Sequence, residues 1–296
     1  MKKKIILVTG TSGFIGKIFL KNSLQQGYHI IDILRFKNKK NKDLNSLRKI
    51  FSKSYKSIFY KNNKEIEKKV KNLKVDYFIN FATLYKNSHT HIEIPKFIDS
   101  NIIFPTTVLD LIYMRVKKII NFGTMMQHIN GKEYIPKNFY ASTKSALEMI
   151  INFYAFKNKN LKFYNIKFYE SFSENDKRKK LIPTLIKNYK NNIKTKINSK
   201  NLELNIIHAN DIVKSVYIII KNNFESGSYC LKQNKNIKIS KFINKLNKKL
   251  NKKLKVEYID DKFAKITKTK IKNLKKWKPD KFLEQKIVNK FYYENS

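Results

Sequence analysis

Three glycines near the N-terminus limit the possible folds of this chain more than any other feature. Gly10, Gly13 and Gly16 directly follow the apolar run KKIILVT at 3–9. The 296 residues contain only seven glycines, against roughly 20 at average usage, so this cluster needs a backbone reason. Absent side chains permit a tight turn, a close approach of the backbone to a pyrophosphate and close helix packing. A strand, a glycine turn and a helix in this order predict a dinucleotide-binding unit.

Apolar runs and helical stretches then alternate along the chain. The helix expected from about 14 to 26 ends at Gly27, which suits the left-handed position past a helix end. Further strands are predicted at 29–34, 75–82, 117–123 and 161–168, with helices near 97–115 and 139–157. This alternation predicts an α/β fold, with a Rossmann-type doubly wound parallel sheet and a smaller C-terminal mixed α/β lobe.

The pattern changes after residue 170, and this change sets the expected domain boundaries. We expect the dinucleotide-binding domain to cover 1–167 together with about 205–225, and the smaller, substrate-binding lobe to cover 168–204 and 226–296. No Pro- or Ser-rich linker divides the chain, so both lobes are expected to share one body.

Composition excludes several classes of protein. Cys230 is the only cysteine, and no apolar run approaches the ~20 residues of a membrane span. The short apolar run before Gly10 is too short for a signal-peptide core, so we expect a cytoplasmic protein with no membrane insertion. The net charge of +42 would by itself favour nucleic acid, but the lysines are dispersed and form no stripe, so no nucleic-acid partner is expected. The histidines and the cysteine show no zinc-ligand spacing, so no metal is predicted.

The end of the second strand indicates which dinucleotide is bound. An acidic side chain there accepts hydrogen bonds from a free 2′-hydroxyl, whereas an arginine accommodates a 2′-phosphate. Arg35 stands at this end, while Asp32 lies earlier and is expected to point into the sheet. The sequence therefore favours NADP (NADPH) over NAD. The alternative is that Arg35 is one more surface cation.

Tyr140 and Lys144 form the second motif that carries chemistry. In YASTK their spacing places a phenol and an ammonium on one face of a helix. A nearby cation stabilises phenolate and lowers the pKa of the tyrosine. Thr124 follows the strand KIINFG, at the end of a strand where open α/β sheets build their sites. Thr124, Tyr140 and Lys144 are therefore the candidate catalytic residues.

Together VTGTSGFIG, NFAT, Thr124 and YASTK resemble the extended short-chain dehydrogenase/reductases, the NAD-dependent epimerase/dehydratase superfamily. IIHANDIVKS (206–215) and LKKWKP (274–279) are similar to later segments of that superfamily. The stretches that contain GTMMQHINGKEY and FYESFSENDKRKKLI look like the CDP-abequose and CDP-paratose synthase group of nucleotide-sugar 4-ketoreductases.

The resemblance implies an NADPH-dependent reduction of the C4 ketone of a 4-keto-6-deoxy or 3,6-dideoxy nucleotide sugar, CDP-linked by preference, in surface-polysaccharide biosynthesis. Thr124 and Tyr140 would hydrogen-bond the ketone, Tyr140 would protonate the alkoxide, and Lys144 would hold the nicotinamide ribose. The implied cofactor contacts are Gly10, Thr11, Ser12, Gly13, Phe14, Ile15, Gly16, Arg35, Phe81, Ala82, Thr83, Asn101, Tyr140, Lys144, Tyr169 and Ser171. The implied substrate contacts are Tyr85, Met125, Gln127, His128, Glu170, Asp176 and Arg178.

Several alternatives stay open at this point. Related 4,6-dehydratases place an Asp-Glu pair after the catalytic Thr, and Met125 and Met126 stand there in this chain, so dehydration is not expected. A C4-epimerase with tightly bound NAD is the main rival, followed by a catalytically silent dinucleotide sensor. Asn101 could support its helix or reach the site, and His128 could touch the sugar or be exposed. The resemblance also implies a homodimer through the helix carrying Tyr140 and the helix before the Thr124 strand.

Overall fold

A computed structural model describes residues 4–131, 135–260, 269–280 and 283–292. Strands and helices alternate along most of these residues. The strands are β1 (Ile5–Thr9), β2 (His29–Arg35), β3 (Tyr55–Tyr60), β4 (Tyr77–Asn80), β5 (Lys118–Phe122), β6 (Lys162–Phe168), β7 (Glu170–Phe172), β8 (Thr195–Ser199), β9 (Glu203–Leu204), β10 (Ile206–His208), β11 (Gly227–Leu231), β12 (Ile237–Lys238), β13 (Val256–Asp260) and β14 (Lys272–Asn273). The α-helices are α1 (Phe14–Gln25), α2 (Lys42–Ile50), α3 (Asn63–Val70), α4 (Ile94–Ile98), α5 (Phe104–Ile112), α6 (Phe139–Lys157), α7 (Leu181–Lys190), α8 (Ala209–Lys221), α9 (Ile239–Asn247) and α10 (Leu283–Tyr292).

Eight of the strands form one parallel sheet in the order β14-β11-β6-β5-β4-β1-β2-β3. One face is covered by α1 and α8, whose Phe19 and Val216 enter the apolar core there. The other face is covered by α3, α5 and α6, which contribute Ile66, Val108 and Leu147. Burial of both faces explains why the central strands are nearly continuous apolar runs. The predicted doubly wound, Rossmann-type parallel sheet is confirmed.

The predicted strands and the helix ends lie close to their observed positions. Gly27 has a φ of +77°, the left-handed conformation expected past the end of α1. The region 42–70 differs, because it contains α2, β3 and α3, where no strand or helix was predicted. This stretch is rich in Lys and Asn, and α2 buries only Leu44, so its low apolar content gave little indication of a helix.

The helix predicted near 97–115 is a helical run that changes its winding in the middle. A π-helical turn, Asp99–Ile103, joins α4 to α5. Pro105 follows this turn and has no N–H to donate to the carbonyl of Asn101, which favours a wider turn at this point. The wider turn carries the fully buried Asn101.

Part of the segment predicted to form the smaller lobe belongs to the large sheet instead. β11 lies next to β6 in the large sheet and β14 lies next to β11, although 226–296 was predicted to belong to the lobe. Leu274 and Trp277 pack in the core of the same sheet. The parallel connection through α8 brings β11 beside β6, and a sequence reading of a short strand cannot show this pairing. The lobe itself contains the pairs β7–β10, β9–β12 and β8–β13, and α7, α9 and α10 pack around Leu185, Phe242 and Ile287.

Among the described residues, no helix is long and apolar enough to cross a membrane. No cluster of His, Cys, Asp or Glu side chains suited to a metal ion occurs within the same part of the chain.

Candidate active site

The carboxyl ends of the central strands open into a cavity of about 590 Å³. It brings together the glycine turn, Thr124 and the YASTK helix, which are far apart in the sequence. The predicted site residues that line it are Gly10, Ser12, Gly13, Phe14, Ile15, Gly16, Arg35, Phe81, Ala82, Thr83, Tyr85, Thr124, Tyr140, Lys144, Tyr169, Glu170, Ser171 and Arg178. Parallel strands end at one edge, so the topology itself produces this gathering.

The glycine turn packs backbone against backbone at one end of the cavity. Gly10 has a φ of +78°, and a Cβ atom there would lie 2.4 Å from the backbone nitrogen of Ala82. A Cβ atom on Gly16 would lie 2.2 Å from the carbonyl oxygen of Gly10. Only glycine fits these two positions. The N-terminus of α1 then faces the cavity, where its free N–H groups can bind phosphate oxygens.

Thr11 does not line the cavity, contrary to its predicted cofactor contact. Its hydroxyl donates a hydrogen bond of 2.8 Å to Oδ2 of Asp32, and the Tyr55 hydroxyl donates one of 2.6 Å to the same oxygen. Asp32 is fully buried and does not line the cavity. Burial raises the pKa of this carboxyl, and the hydroxyls of Tyr55, Ser57 and Thr11 oppose the rise. Thr11 therefore anchors the glycine turn to β2.

The end of β2 and the residues after it form a polar wall of the cavity, of which only Arg35 was predicted. Arg35 lines the cavity together with Lys37, Asn38 and Asn41. Nη2 of Arg35 lies 2.7 Å from Oδ2 of Asp99. The three further residues were missed because they stand in a stretch of Lys and Asn with no distinguishing pattern.

Thr124 begins the three-residue 3-10 turn Met125–Gln127 at the end of β5. Its hydroxyl oxygen accepts a hydrogen bond of 3.2 Å from the backbone N–H of Met126. The hydroxyl proton is therefore available to a ligand in the cavity. The adjoining wall of the cavity is formed by Met126, which was not among the predicted contacts.

Tyr140 and Lys144 lie in the first two turns of α6, which Asn138 caps by accepting the N–H of Ala141 at 3.0 Å. Tyr85 packs edge-on against Tyr140, with 4.9 Å between ring centroids. Burial raises the pKa of Tyr140 well above 10, with Thr83 opposing this and Tyr85 adding to it. Burial lowers the pKa of Lys144 to about 8. The predicted lowering of the Tyr140 pKa by Lys144 is not found, because burial is the largest influence on this pKa and Lys144 is not among the groups that shift it.

Three predicted substrate contacts are buried away from the cavity: Met125, Gln127 and His128. Sδ of Met125 lies 3.6 Å from Sγ of Cys230. Nε2 of His128 lies 2.8 Å from Nζ of Lys167. The tight 3-10 turn directs Met126 toward the cavity and buries its neighbours Met125 and Gln127 beneath the cavity wall. The predicted contacts therefore differ from the observed one by a single residue.

Arg178 reaches the cavity, and Asp176 holds it there without lining the cavity itself. Nη2 of Arg178 lies 2.7 Å from Oδ2 of Asp176 and donates to the carbonyl of Ser171 at 3.0 Å. The guanidinium stacks over the ring of Phe14, with its carbon 3.9 Å from the centroid. This stacking connects the smaller lobe to the first turn of α1. The role predicted for Asp176 therefore changes from a substrate contact to a support for Arg178.

Lys180 also lines the cavity, although the sequence reading could not separate it from the general lysine excess. Its Nζ lies 3.3 Å from Oε1 of Glu170 and donates to the Tyr85 hydroxyl at 3.2 Å. Tyr85 in turn contacts Tyr140. A cation, a carboxylate and a phenol thus surround the side of the cavity next to Tyr140.

Asn101 is a support and does not line the cavity. Its amide donates to Oγ1 of Thr143 at 2.9 Å and to the carbonyl of Leu84 at 3.0 Å. Its oxygen accepts the N–H of Leu84 at 2.6 Å and the Thr83 hydroxyl at 3.3 Å. The π-helical turn therefore fixes the loop after β4 against α6, which favours the structural reading of this residue.

Comparison with known proteins defines the class to which this fold and site belong. The model of the NAD dependent epimerase/dehydratase family matches residues 6–231, and the chain belongs to this family. A CDP-abequose synthase from Salmonella muenchen is 24% identical over 259 residues, which cover 86% of this chain and 84% of that protein. A CDP-abequose synthase from Yersinia pseudotuberculosis is 24% identical over 226 residues, covering 76% and 75%.

Solved structures share the fold across nearly the whole chain. A UDP-glucuronic acid 4-epimerase from Bacillus cereus in complex with NAD has a TM-score of 0.80 at 17% identity and covers 97% of both chains. A UDP-N-acetylglucosamine 4-epimerase from Methanobrevibacter ruminantium M1 has a TM-score of 0.78 at 18% identity and covers 98% of both chains. The chain is thus an NAD(P)-dependent enzyme of the extended short-chain dehydrogenase/reductase type.

Proposed function

We propose that this enzyme reduces the C4 ketone of a 4-keto-6-deoxy or 3,6-dideoxy nucleotide sugar with NADPH. The observation that carries the proposal is the meeting of two proton donors, the Thr124 hydroxyl and the Tyr140 phenol, in the cavity that the glycine turn also lines. Two donors aimed at one oxygen can stabilise the alkoxide that forms when a ketone is reduced.

The side chains have separate roles in this reaction. Thr124, whose oxygen is engaged by the N–H of Met126, donates to the ketone oxygen. Tyr140 keeps its proton at neutral pH because burial raises its pKa, so it can protonate the alkoxide. Lys144 is mostly charged below its pKa of about 8 and holds the nicotinamide ribose. Bound NADPH supplies the hydride.

The residues of the cofactor end fit a dinucleotide and support NADP. Gly10 and Gly16 admit no Cβ atom because it would meet backbone atoms, and this close packing places the N-terminus of α1 at the cavity, where a pyrophosphate can bind. The acid of β2, Asp32, is fully buried and does not line the cavity, and its Oδ2 accepts the hydroxyls of Thr11 and Tyr55. Arg35 and Lys37 are then the charged side chains at the end of β2 that line the cavity. Cations at this place suit a 2′-phosphate.

The choice of a keto sugar linked to CDP is supported by the two CDP-abequose synthases to which the chain is similar. Arg178 and Lys180 offer cations for a diphosphate on the side of the smaller lobe. Met126 lines the cavity next to Thr124 and cannot transfer a proton, which disfavours dehydration. By this proposal the product serves surface-polysaccharide biosynthesis, and the enzyme works in the cytoplasm.

A C4-epimerase with tightly bound NAD is the second candidate, since solved structures with this fold include 4-epimerases. The experiment offers purified protein NADPH, then NADH, with a panel of 4-keto nucleotide sugars that includes CDP-4-keto-3,6-dideoxyglucose. Loss of reduced-nicotinamide absorbance in step with loss of the ketone supports the reductase. A changed NMR spectrum of a 4-hydroxy nucleotide sugar without net cofactor consumption supports the epimerase instead.

The proposal includes a homodimer built on α5 and α6. Met149, Phe153 and Phe156 of α6 are 56%, 53% and 69% exposed, and their spacing places them on one side of the helix. Ile103 and Met114, at the two ends of α5, are also exposed. Apolar side chains grouped on neighbouring helices are typical of a surface that a second copy of the chain covers.

A further inference from the structure

We infer that Gln127 is a positioning residue that fixes Thr124 by linking it to Glu148. Glu148 lies on the helix that carries Tyr140 and forms a buried ion pair with Lys167 of β6. The inference deepens the proposed function, because it rests on the role proposed for Thr124. Gln127 itself does not line the cavity. It acts through the backbone of Thr124 and through α6.

Both ends of the Gln127 carboxamide are engaged, and the residue is fully buried. Its Oε1 accepts the backbone N–H of Thr124 at 2.9 Å. Its Nε2 donates to Oε2 of Glu148 at 2.8 Å and to Oγ of Ser145 at 3.3 Å. The carboxamide therefore bridges the end of β5 and α6. Without it, the Thr124 N–H would be buried with no acceptor, which destabilises this position of the end of β5.

Glu148 in turn forms a buried ion pair with Lys167. Its Oε2 lies 2.8 Å from Nζ of Lys167 on β6, and the two side chains are 4% and 1% exposed. The Ser228 hydroxyl on β11 donates to the other carboxylate oxygen. A buried ion pair that is fully hydrogen-bonded is a rigid attachment point. The contacts join β5, β6, β11 and α6 beneath the cavity.

The geometry of α6 explains why this attachment concerns the site. Glu148 stands one helical turn after Lys144 and two turns after Tyr140, so one rigid helix carries all three. Fixing Gln127 to Glu148 therefore fixes Thr124 relative to Tyr140. Two donors must converge on one ketone oxygen, and a displacement of about 1 Å can lower turnover roughly a hundredfold.

Gly123 leaves the space that the Gln127 carboxamide occupies. A Cβ atom on Gly123 would lie 2.5 Å from Oε1 of Gln127 and 3.1 Å from Cγ of Lys167. The glycine that precedes Thr124 thus lets the carboxamide reach the Thr124 N–H. Gly123, Thr124 and Gln127 form one structural unit, and a larger residue at 123 would separate its parts.

The test compares Gln127→Met, which removes the carboxamide at similar size, with Ser145→Ala, which removes a different contact of the same carboxamide. Hydrogen exchange of the Thr124 amide reports the positioning directly, without any reaction. We expect this amide to lose protection in Gln127→Met and to keep it in Ser145→Ala. Gln127→Asn, which keeps an amide on a shorter side chain, gives the same comparison should Gln127→Met unfold.

Kinetics then connect the positioning to turnover. We expect kcat to fall about tenfold or more in Gln127→Met, with the Kd of NADPH unchanged. We also expect Thr124→Ala to lower kcat much less in the Gln127→Met background than in the wild type, since both changes impair the same function, the hydrogen bond from Thr124 to the ketone. Retained protection, unchanged kcat or fully independent effects of the two changes would overturn the inference. A wild type that reduces no ketone would instead contradict the proposed function, while the exchange result would still decide whether Gln127 holds Thr124.

Discussion

Arg35 and Asp99 form an ion pair of 2.7 Å that joins the end of β2 to the π-helical turn at the edge of the cavity. Both side chains are about half exposed, so water screens the pair and its contribution to stability is small. Arg35 is consequently free to exchange Asp99 for a stronger anion. In our account this anion is the 2′-phosphate of NADP.

Replacing Arg35 with Ala should lower affinity for NADPH about ten- to hundredfold, because a hydrogen bond between charged groups is worth about 1.5–3 kcal/mol. Affinity for NADH should change little, since NADH has no 2′-phosphate. The measurement is a fluorescence titration with each cofactor. Equal losses for the two cofactors would contradict the assignment of Arg35.

Replacing Asp99 with Asn tests the same site from the opposite direction. The change frees Arg35 from its partner, and exposed pairs are worth about 0.2–1 kcal/mol, so NADPH should bind a few times more tightly. The same titration applies, with Asp43→Asn, an exposed acid of α2 paired with Lys17, as a control. Weaker NADPH binding in Asp99→Asn would show that Asp99 itself contacts the cofactor.

The affinity for NADPH should decrease as the pH rises through about 8, the pKa to which burial lowers Lys144. Below this pH the ammonium is present and can donate to the cofactor, and above it the charge is lost. Titrations at a series of pH values measure the effect. Tyr140→Phe should retain the decrease and Lys144→Met should lack it. An unaltered decrease in Lys144→Met would assign the titration to another group.

Asp32 should destabilise the protein increasingly as the pH rises. Burial raises its pKa above the ordinary 3.8, so the folded state binds the proton more tightly, and the stabilising effect of that proton is lost as the pH rises through the folded-state value. Asp32→Asn keeps an acceptor for Thr11 and Tyr55 without the charge. Its melting temperature relative to wild type should therefore rise as the pH increases above the ordinary value of 3.8. A difference that stays constant would contradict the pKa shift.

The proposed dimer should dissociate when charge is placed on the exposed face of α6. Phe153→Glu combined with Phe156→Glu introduces two buried charges into the interface, a change that association tolerates poorly. Light scattering after size exclusion should give the monomer mass for this variant. Ile50→Glu, at an exposed apolar residue of α2, should leave the dimer intact. A wild type of monomer mass would contradict the dimer.

The sequence was most informative where chemistry forces a residue type. Gly10 and Gly16 have no room for a side chain, and this constraint is visible as a cluster in a chain poor in glycine. Thr124 and Tyr140 could be placed at the site because the carboxyl ends of parallel strands meet at one edge. The parallel order of the sheet follows from the same alternation of strands and helices.

The sequence was least informative where a contact depends on a single residue step or on background composition. In the 3-10 turn after Thr124, Met126 faces the cavity and Gln127 lies beneath it, and no periodicity distinguishes the two. Lys180 is one of 64 basic residues, so only its position beside Tyr85 distinguishes it. The raised pKa of Tyr140 depends on burial, which the spacing to Lys144 does not show.

The most direct test of the central claim is turnover by Tyr140→Phe with NADPH and the 4-keto nucleotide sugar that the wild type consumes fastest. The variant removes only the phenolic oxygen, so NADPH should still bind and the protein should keep its melting temperature within a few degrees. We predict a loss of turnover of about a hundredfold or more, because one donor to the developing alkoxide is missing. Turnover close to that of the wild type, with cofactor binding intact, would contradict the account.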